Sequence, residues 1–415
     1  TLTTGTLNIG ANSIDRGAAG GILTLSSGST LQIGGGAFPA NYSTVNIATD
    51  STVEYNPSFN MTVPAPGGGA NYGNLLLSNS GNRTFNAAMT VDGNLTTTGT
   101  VAAVMNAGIT VNGNVNIGSG TSLDPKSYTH TFKGNYTNNG STVSDATNTS
   151  TIIMQGTSAQ AISGSGLYFY SLTTNNSAGV TTSTSFSIAK NFTNNAGFSV
   201  TGTPTTTFNG TTAQAIGGTT APTFYNLTLN NTAGLTLNVN TTVGNPTTGG
   251  TLTFSNGRIT TGTNTLILGS TSSCGVSGAG SGKYVVGKLR KRFVPTTQIA
   301  CTFEVGDSSA TTHYTPLNVS FAAVSADGSL TVAIKPNGGS GTSATADDHP
   351  QVEAASLDSA NSLNRYWMLV PADGLTFSNA TLTFTHLDDA LWVDHDNSTA
   401  NVTRYLVRQL TLSTT

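Results

Sequence analysis

Apolar and polar residues alternate in short bursts along most of the chain. Leu23-Thr24-Leu25, Leu31-Gln32-Ile33 and Leu227-Thr228-Leu229 each place apolar side chains on one face and a polar group on the other, the period of a half-buried β-strand. No comparable run has a helical period, and the bursts are separated by Gly, Asn, Ser and Thr. The pattern predicts a nearly all-β chain.

The bursts also repeat. Phe208-Asn209-Gly210-Thr211-Thr212-Ala213-Gln214-Ala215-Ile216 answers Met154-Gln155-Gly156-Thr157-Ser158-Ala159-Gln160-Ala161-Ile162, about 54 residues earlier. Downstream, Asn230-Asn231-Thr232-Ala233-Gly234-Leu235 answers Asn175-Asn176-Ser177-Ala178-Gly179-Val180. A shorter beat runs beneath this one: Gly93-Asn94-Leu95, Gly113-Asn114-Val115 and Gly134-Asn135-Tyr136 recur about every 20 residues, the length of one solenoid turn. Short strands that cannot bury their apolar face alone do so by stacking coil on coil. Gly and Asn are expected at the corners, where backbones adopt positive φ, and rows of Asn and Thr are expected to bond to one another. A string of separate sandwich domains is the competing arrangement, and the shorter beat favours the solenoid.

Beyond residue 285 the texture changes. Tyr314-Thr315-Pro316-Leu317-Asn318-Val319, Leu330-Thr331-Val332-Ala333-Ile334, Arg365-Tyr366-Trp367-Met368-Leu369-Val370 and Ala380-Thr381-Leu382-Thr383-Phe384 read as strands between longer polar loops, and both tryptophans, Trp367 and Trp392, fall here. These features suggest a closed antiparallel sandwich. The expected organisation is a parallel β-helix or solenoid over residues 1–285, followed by a C-terminal antiparallel β-sandwich-like domain over residues 286–415.

Composition narrows the picture. Only 8% of residues are charged, the net charge is −3, and 49 of the 415 residues are glycine. Before residue 282 the acids are only Asp15, Asp50, Glu54, Asp92, Asp124 and Asp145, widely spaced. The basic residues cluster instead at Lys283, Lys288, Arg290, Lys291 and Arg292, where Lys288-Leu289-Arg290-Lys291-Arg292 is expected to be a solvated edge strand whose charge discourages unwanted pairing. With a small negative net charge and no other basic face, nucleic-acid binding is not expected. No stretch reaches the roughly 20 apolar residues of a membrane helix, so no transmembrane segment is expected. A first residue Thr1 in place of Met suits a mature product whose export signal has been removed.

Two cysteines, Cys274 and Cys301, are too few for a disulfide framework and lack the partners of a zinc site. In an oxidising compartment they can form one bridge, worth on the order of 3 kcal/mol if the α-carbons lie within about 7 Å. Two separate buried thiols are the other reading.

Taken together, several segments resemble repetitive surface proteins that some Gram-negative bacteria export by the type IX secretion system. Phe38-Pro39-Ala40-Asn41-Tyr42-Ser43 followed by Ser51-Thr52-Val53-Glu54-Tyr55-Asn56, the elements Gly210 to Ile216 and Phe224 to Asn231, and Tyr284-Val285-Val286-Gly287-Lys288-Leu289 leading to Phe303-Glu304-Val305-Gly306 carry the resemblance, with Asn364-Arg365-Tyr366-Trp367. The resemblance implies an extracellular or outer-surface location and a structural repeat architecture. It implies little about activity.

Parallel β-helices also serve as scaffolds for polysaccharide lyases and hydrolases, which need converging carboxylates, or Asp-bound calcium beside a base. The sparse acids of the solenoid do not supply them, and Asp15-Arg16 reads as a loop cap. Asp347-Asp348-His349, Asp388-Asp389 and Asp394-His395-Asp396 are the dense acidic clusters, but their spacing matches no calcium loop and solvated turns explain them. Gly34-Gly35-Gly36 and Gly67-Gly68-Gly69 are not phosphate loops, since no helix follows. No catalytic residue, metal or cofactor is expected. Asn-Xaa-Ser/Thr triplets at Asn41, Asn82, Asn135, Asn191, Asn226, Asn240, Asn318 and Asn401 are candidate glycan sites, in a chain whose composition alone generates many.

The function expected is therefore non-enzymatic: an extracellular structural subunit of a surface fibre or filament, whose partners are copies of itself. Strand alternation from Thr1-Leu2-Thr3-Thr4-Gly5-Thr6-Leu7-Asn8-Ile9-Gly10 onward suggests an edge available for such contacts. A monomeric adhesin or stalk that binds host or cell-surface glycans is the alternative, and a polysaccharide-cleaving enzyme the lesser one.

Overall fold

The computed structural model describes residues 1–35, 37–143, 148–247, 249–269, 274–308, 313–336, 365–385, 388–389 and 392–393. Among them every regular element is a β-strand. The fold is a parallel β-solenoid of about 14 turns with antiparallel strands at the C-terminal end. The chain divides into two compact units, Thr1–Gly210 with Ile216–Phe224, and Thr211–Ala215 with Tyr225–Thr415.

In the first unit, strands of one face stack in parallel from Thr6–Asn8 through Asn74–Leu77, Leu95–Thr97, Val115–Ile117 and Tyr136–Asn138 to Phe198–Val200. A second face carries Met89–Val91, Ile109–Val111, Thr129–Phe132, Thr151–Met154, Ser171–Thr174 and Phe192–Asn194. Most strands are three or four residues long, buried at alternate positions, as the sequence alternation predicts. The core between them is stacked by kind. Phe132, Tyr136, Phe169, Phe186, Phe198, Phe192, Phe224 and Phe208 make a continuous column of ring contacts with centroids 5.0 to 6.3 Å apart. Such tilted and edge-on ring pairs add about 1 kcal/mol each beyond burial.

The Gly-Asn beat marks a corner, for a different reason from the one expected. Gly93, Gly113 and Gly134 do not have positive φ. A Cβ at Gly113 would lie 2.5 Å from the carbonyl oxygen of Gly93, so glycine is required because successive coils touch backbone to backbone there. Each following asparagine then hooks the next coil. The side-chain oxygen of Asn74 accepts from the Asn94 amide, Asn94 from Asn114, and Asn114 from Asn135, at 2.8 to 2.9 Å and 20 or 21 residues apart.

Within the second unit, Leu235–Leu237 and Thr241–Val243 pair in parallel with Ile259–Leu268, which pairs in parallel with Val285–Phe293. Val285–Phe293 is where the pairing direction changes, because its other edge pairs antiparallel with Gly328–Pro336, which pairs antiparallel with Arg365–Ala372. Ile299–Phe303, Leu317–Ala326 and Thr376–Phe384 form a second antiparallel sheet. Side chains of the two sheets meet: Phe293 contacts Phe303 and Phe321, and Trp367 lies 5.0 Å from Phe384.

The basic run is corrected by this topology. Val285–Phe293 is paired on both sides, so Lys288-Leu289-Arg290-Lys291-Arg292 is not an edge strand. Its charges are absorbed inside the chain: Arg290 pairs with Asp373, Arg292 with Asp327 and Lys291 with Glu304.

Candidate functional site

The acids that a β-helix enzyme would gather are each taken up where they stand. Asp15 accepts the Ala40 amide at 2.9 Å, which makes it the loop cap the sequence suggests. Asp50 accepts from Ser27, and Glu54 from Gln32 and Ser78, each at 2.6 to 2.7 Å across neighbouring coils. Asp92 accepts from Asn71 and Asn112, and Asp124 pairs with Lys126 at 2.6 Å. Asp145 lies outside the described residues. Of the described five, Asp124 pairs with a cation and the other four are held by amides and hydroxyls.

The strongest sequence repeat is also structural. Gln160 is 2% exposed and uses its full hydrogen-bonding capacity. Its Nε2 donates to the carbonyls of Phe132 and Gly134, while its Oε1 accepts from the Gly156 amide and from Asn176 Nδ2. Asn176 also donates to Ser158 O at 2.6 Å and accepts the Ala178 amide. The second copy reproduces this: Asn231 Nδ2 donates to Gln214 Oε1 and Thr212 O, and Asn231 Oδ1 accepts the Ala233 amide. The Gln and Asn of the repeated motif are therefore buried amide clamps between coils.

In the second unit Cys274 and Cys301 are joined by a disulfide, with α-carbons 5.5 Å apart. Directly beside it sits a charge pair that sequence reasoning missed. Lys291 Nζ lies 2.8 Å from Glu304 Oε2, with the two side chains 1% and 8% exposed. Nζ also donates to the carbonyls of Cys274 and Thr302, which gives each ammonium proton an acceptor, and the Phe303 ring centroid is 5.4 Å away. Burial pulls the Lys291 ammonium down and pushes the Glu304 carboxyl up, and their ion pair opposes both shifts. The signal that could have found Lys291 is its place two residues from each of Leu289 and Phe293, on the buried side of the strand.

Two histidines are also buried. His313 Nδ1 lies 2.9 Å from Asp307 Oδ1, both side chains 2% exposed, so this dyad is sealed from any substrate. His130 Nε2 lies 2.8 Å from Pro125 O while Nδ1 accepts the Ile109 amide, an arrangement that fixes the neutral tautomer with its proton on Nε2. Burial lowers its pKa.

The candidate glycan asparagines are spread over the surface and are not gathered into a site. Asn41, Asn82, Asn135, Asn191, Asn240 and Asn318 are exposed and Asn226 half-buried. Several already hold backbone: Asn135, Asn226 and Asn240 accept the amides of Ala161, Thr251 and Thr265, and Asn41 donates to Arg16 O. Asn401 and the clusters at 347–349 and 394–396 lie outside the described residues, as do the side chains of Asp388 and Asp389. Among the described residues no group of three or more His, Cys, Asp or Glu is placed to hold a metal ion, and no helix is long and apolar enough to cross a membrane. Compared with known proteins, no family model matches the chain, and neither does any curated protein or solved structure.

Proposed function

We propose that this chain is a non-enzymatic extracellular structural protein, a subunit of a surface filament assembled through β-rich contacts, of the kind exported by the type IX secretion system. The observation that supports it is the fate of its polar groups. Four of the five described acids of the repeat region, and the Gln and Asn of its strongest repeat, hold coil to coil or loop to coil, and the fifth, Asp124, pairs with Lys126 in its own turn. Catalysis requires the opposite arrangement, polar groups converging on a space that a substrate can enter. The disulfide suits an oxidising, extracytoplasmic setting, since thiols are kept reduced in most cytosols.

Negative-stain electron microscopy and light scattering of the purified 415-residue chain test the assembly. Concentration-dependent filaments are expected. A strictly monomeric chain that binds immobilised glycans would replace the filament reading with the adhesin. Turnover of a polysaccharide that is abolished by Asp92→Asn or Asp50→Asn would replace both with an enzyme.

A further inference from the structure

Three segments of the second unit meet at one nitrogen. Cys274 sits in a turn just ahead of Val276–Ser277, Cys301 lies in Ile299–Phe303, and Lys291 lies in Val285–Phe293. Lys291 Nζ donates to the carbonyl of Cys274 itself, at 2.7 Å, and to that of Thr302, the neighbour of Cys301. The two half-cystines are thus tied twice, sulfur to sulfur and backbone to backbone through a buried ammonium. The ammonium is anchored independently of the sulfurs, by Glu304 at 2.8 Å and by the Phe303 ring 5.4 Å away.

The two cysteines differ in how much they need that second tie. Ile299–Phe303 is paired along its whole length with Leu317–Ala326, Cys301 opposite Val319, so Cys301 is fixed by its sheet. Cys274 has a φ of 53°, in the left-handed region that a residue with a Cβ adopts only where its surroundings impose it. Just beyond it, the carbonyl of Gly275 accepts the Leu252 amide, and Val276 pairs in parallel with Leu252. Those bonds hold the chain that follows Cys274. The carbonyl of Cys274 itself is held by Lys291.

We propose that Lys291 is a redox-independent clasp that presets the two thiols. In the reduced chain its ammonium keeps the Cys274 turn docked on Ile299–Phe303, and the disulfide closes on a contact already made. Oxidation then needs one small disulfide of the glutathione class. The thiolate of Cys274, half-buried where Cys301 is 2% exposed, attacks that disulfide and releases one thiol. The thiolate of Cys301 attacks the mixed disulfide and releases the second. Two protons and two electrons leave the chain, and one oxidant disulfide becomes two thiols. The clasp acts on the second attack, which it makes intramolecular between groups already in place. By linkage, whatever the ammonium adds to the stability of the disulfide, the disulfide adds to that of the ammonium contact. Lys291 is a positioning residue and reacts with nothing. The proposal does not rest on the filament reading, and a chain that stays monomeric leaves it intact.

The test is the glutathione equilibrium of the full 415-residue chain. The folded chain is reduced, equilibrated with mixtures of reduced and oxidised glutathione at about pH 7.5, quenched with acid, and its oxidised fraction is read by mass spectrometry. Lys291→Met combined with Glu304→Leu removes the ammonium together with the acid it would strand, and should shift the midpoint about tenfold toward the dithiol. Val332→Ala, a buried change on the far side of Leu289, touches neither cysteine nor Nζ. It should lower the unfolding midpoint and leave the glutathione midpoint where it is. Lysine labelling of the wild type is a second arm that needs no variant and decides if the double variant does not fold. Lys291 should stay as unreactive toward acetic anhydride in the reduced chain as in the oxidised one, while Lys126, with its side chain 40% exposed, is labelled in both. Three results overturn the proposal: a double variant whose midpoint stays within about twofold of wild type, an equal shift in Val332→Ala, or labelling of Lys291 at the rate of Lys126 once the chain is reduced, which makes the disulfide the anchor of the lysine.

Discussion

The repeat wall and the antiparallel sheets keep buried polar groups satisfied by different means. Along the repeat wall the partners are neutral amides and hydroxyls, as at Gln160 with Asn176 and Thr97 with Thr121, one coil passing its bonds to the next. In the antiparallel part they are charges, as at Lys291 with Glu304, pinned beside a disulfide. A neutral clamp can be copied coil after coil, because each copy meets the same surroundings and adds no net charge. A buried ion pair is tied to one geometry, since losing either partner strands the other in a medium that solvates it poorly. A chain with so few charges accordingly places the Lys291–Glu304 pair where the repeat gives way to antiparallel sheets.

The most severe way to break this contrast is at Lys291. Lys291→Met leaves Glu304 buried without its partner and should cost about 4 kcal/mol in denaturant unfolding, whereas Lys291→Met combined with Glu304→Leu should recover most of it. Recovery near zero would show that the carbonyl contacts of Cys274 and Thr302, rather than the ion pair, set the cost.

The matching change in the wall is Gln160→Ala. It leaves the carbonyls of Phe132 and Gly134 and the groups of Gly156 and Asn176 without their buried partner, and about 3 kcal/mol is expected. Nearest-neighbour coupling should confine the loss: amide exchange should accelerate in the strands flanking Gln160–Ser163 and remain unchanged around Leu31. Reduction of Cys274–Cys301, or its replacement by two alanines, should cost on the order of 3 kcal/mol and act only on the second unit, read by exchange in Ile299–Phe303.

The smallest effect concerns pH. The folded chain holds His130 neutral with a lowered pKa, so the unfolded chain binds more protons below about pH 6.5. Its contribution is therefore fully present above that pH and is lost as the pH falls toward the lowered folded value. Between pH 7 and pH 5.5 the wild type should lose up to about 1 kcal/mol more than His130→Gln. Equal losses would mean that His130 does not titrate on unfolding.

Much of the wall was legible in the sequence because its physics is periodic. Leu95, Val115 and Tyr136 stand in register on one face because the Gly-Asn beat sets the length of the coil. The repeated Gln160 and Gln214 announced something specific, though not that each meets an asparagine sixteen or seventeen residues further along the chain. Other features depend on a partner the local pattern does not name. Lys291 looks like surface charge in a run of four basic residues around one leucine until Glu304 is placed beneath it. The Pro64 to Gly69 stretch reads as a loop in sequence, and only the strands on either side show that it stands where a strand is missing.

The asparagine hooks at Asn74, Asn94, Asn114 and Asn135 have a consequence for how such a gene changes length. Each hook needs only the amide of the same residue one coil later, so a duplicated coil brings both its own hook and the amide that the previous hook requires. Unequal recombination that adds or removes a whole coil leaves every remaining joint as it was. Deletion of a single codon within a strand instead turns the rest of that strand inside out, because the side-chain period of a strand is two. Selection on such a protein should therefore tolerate changes of length in steps of a coil, absorb single-residue steps at the corners, as the 20- and 21-residue spacings show, and reject them inside strands.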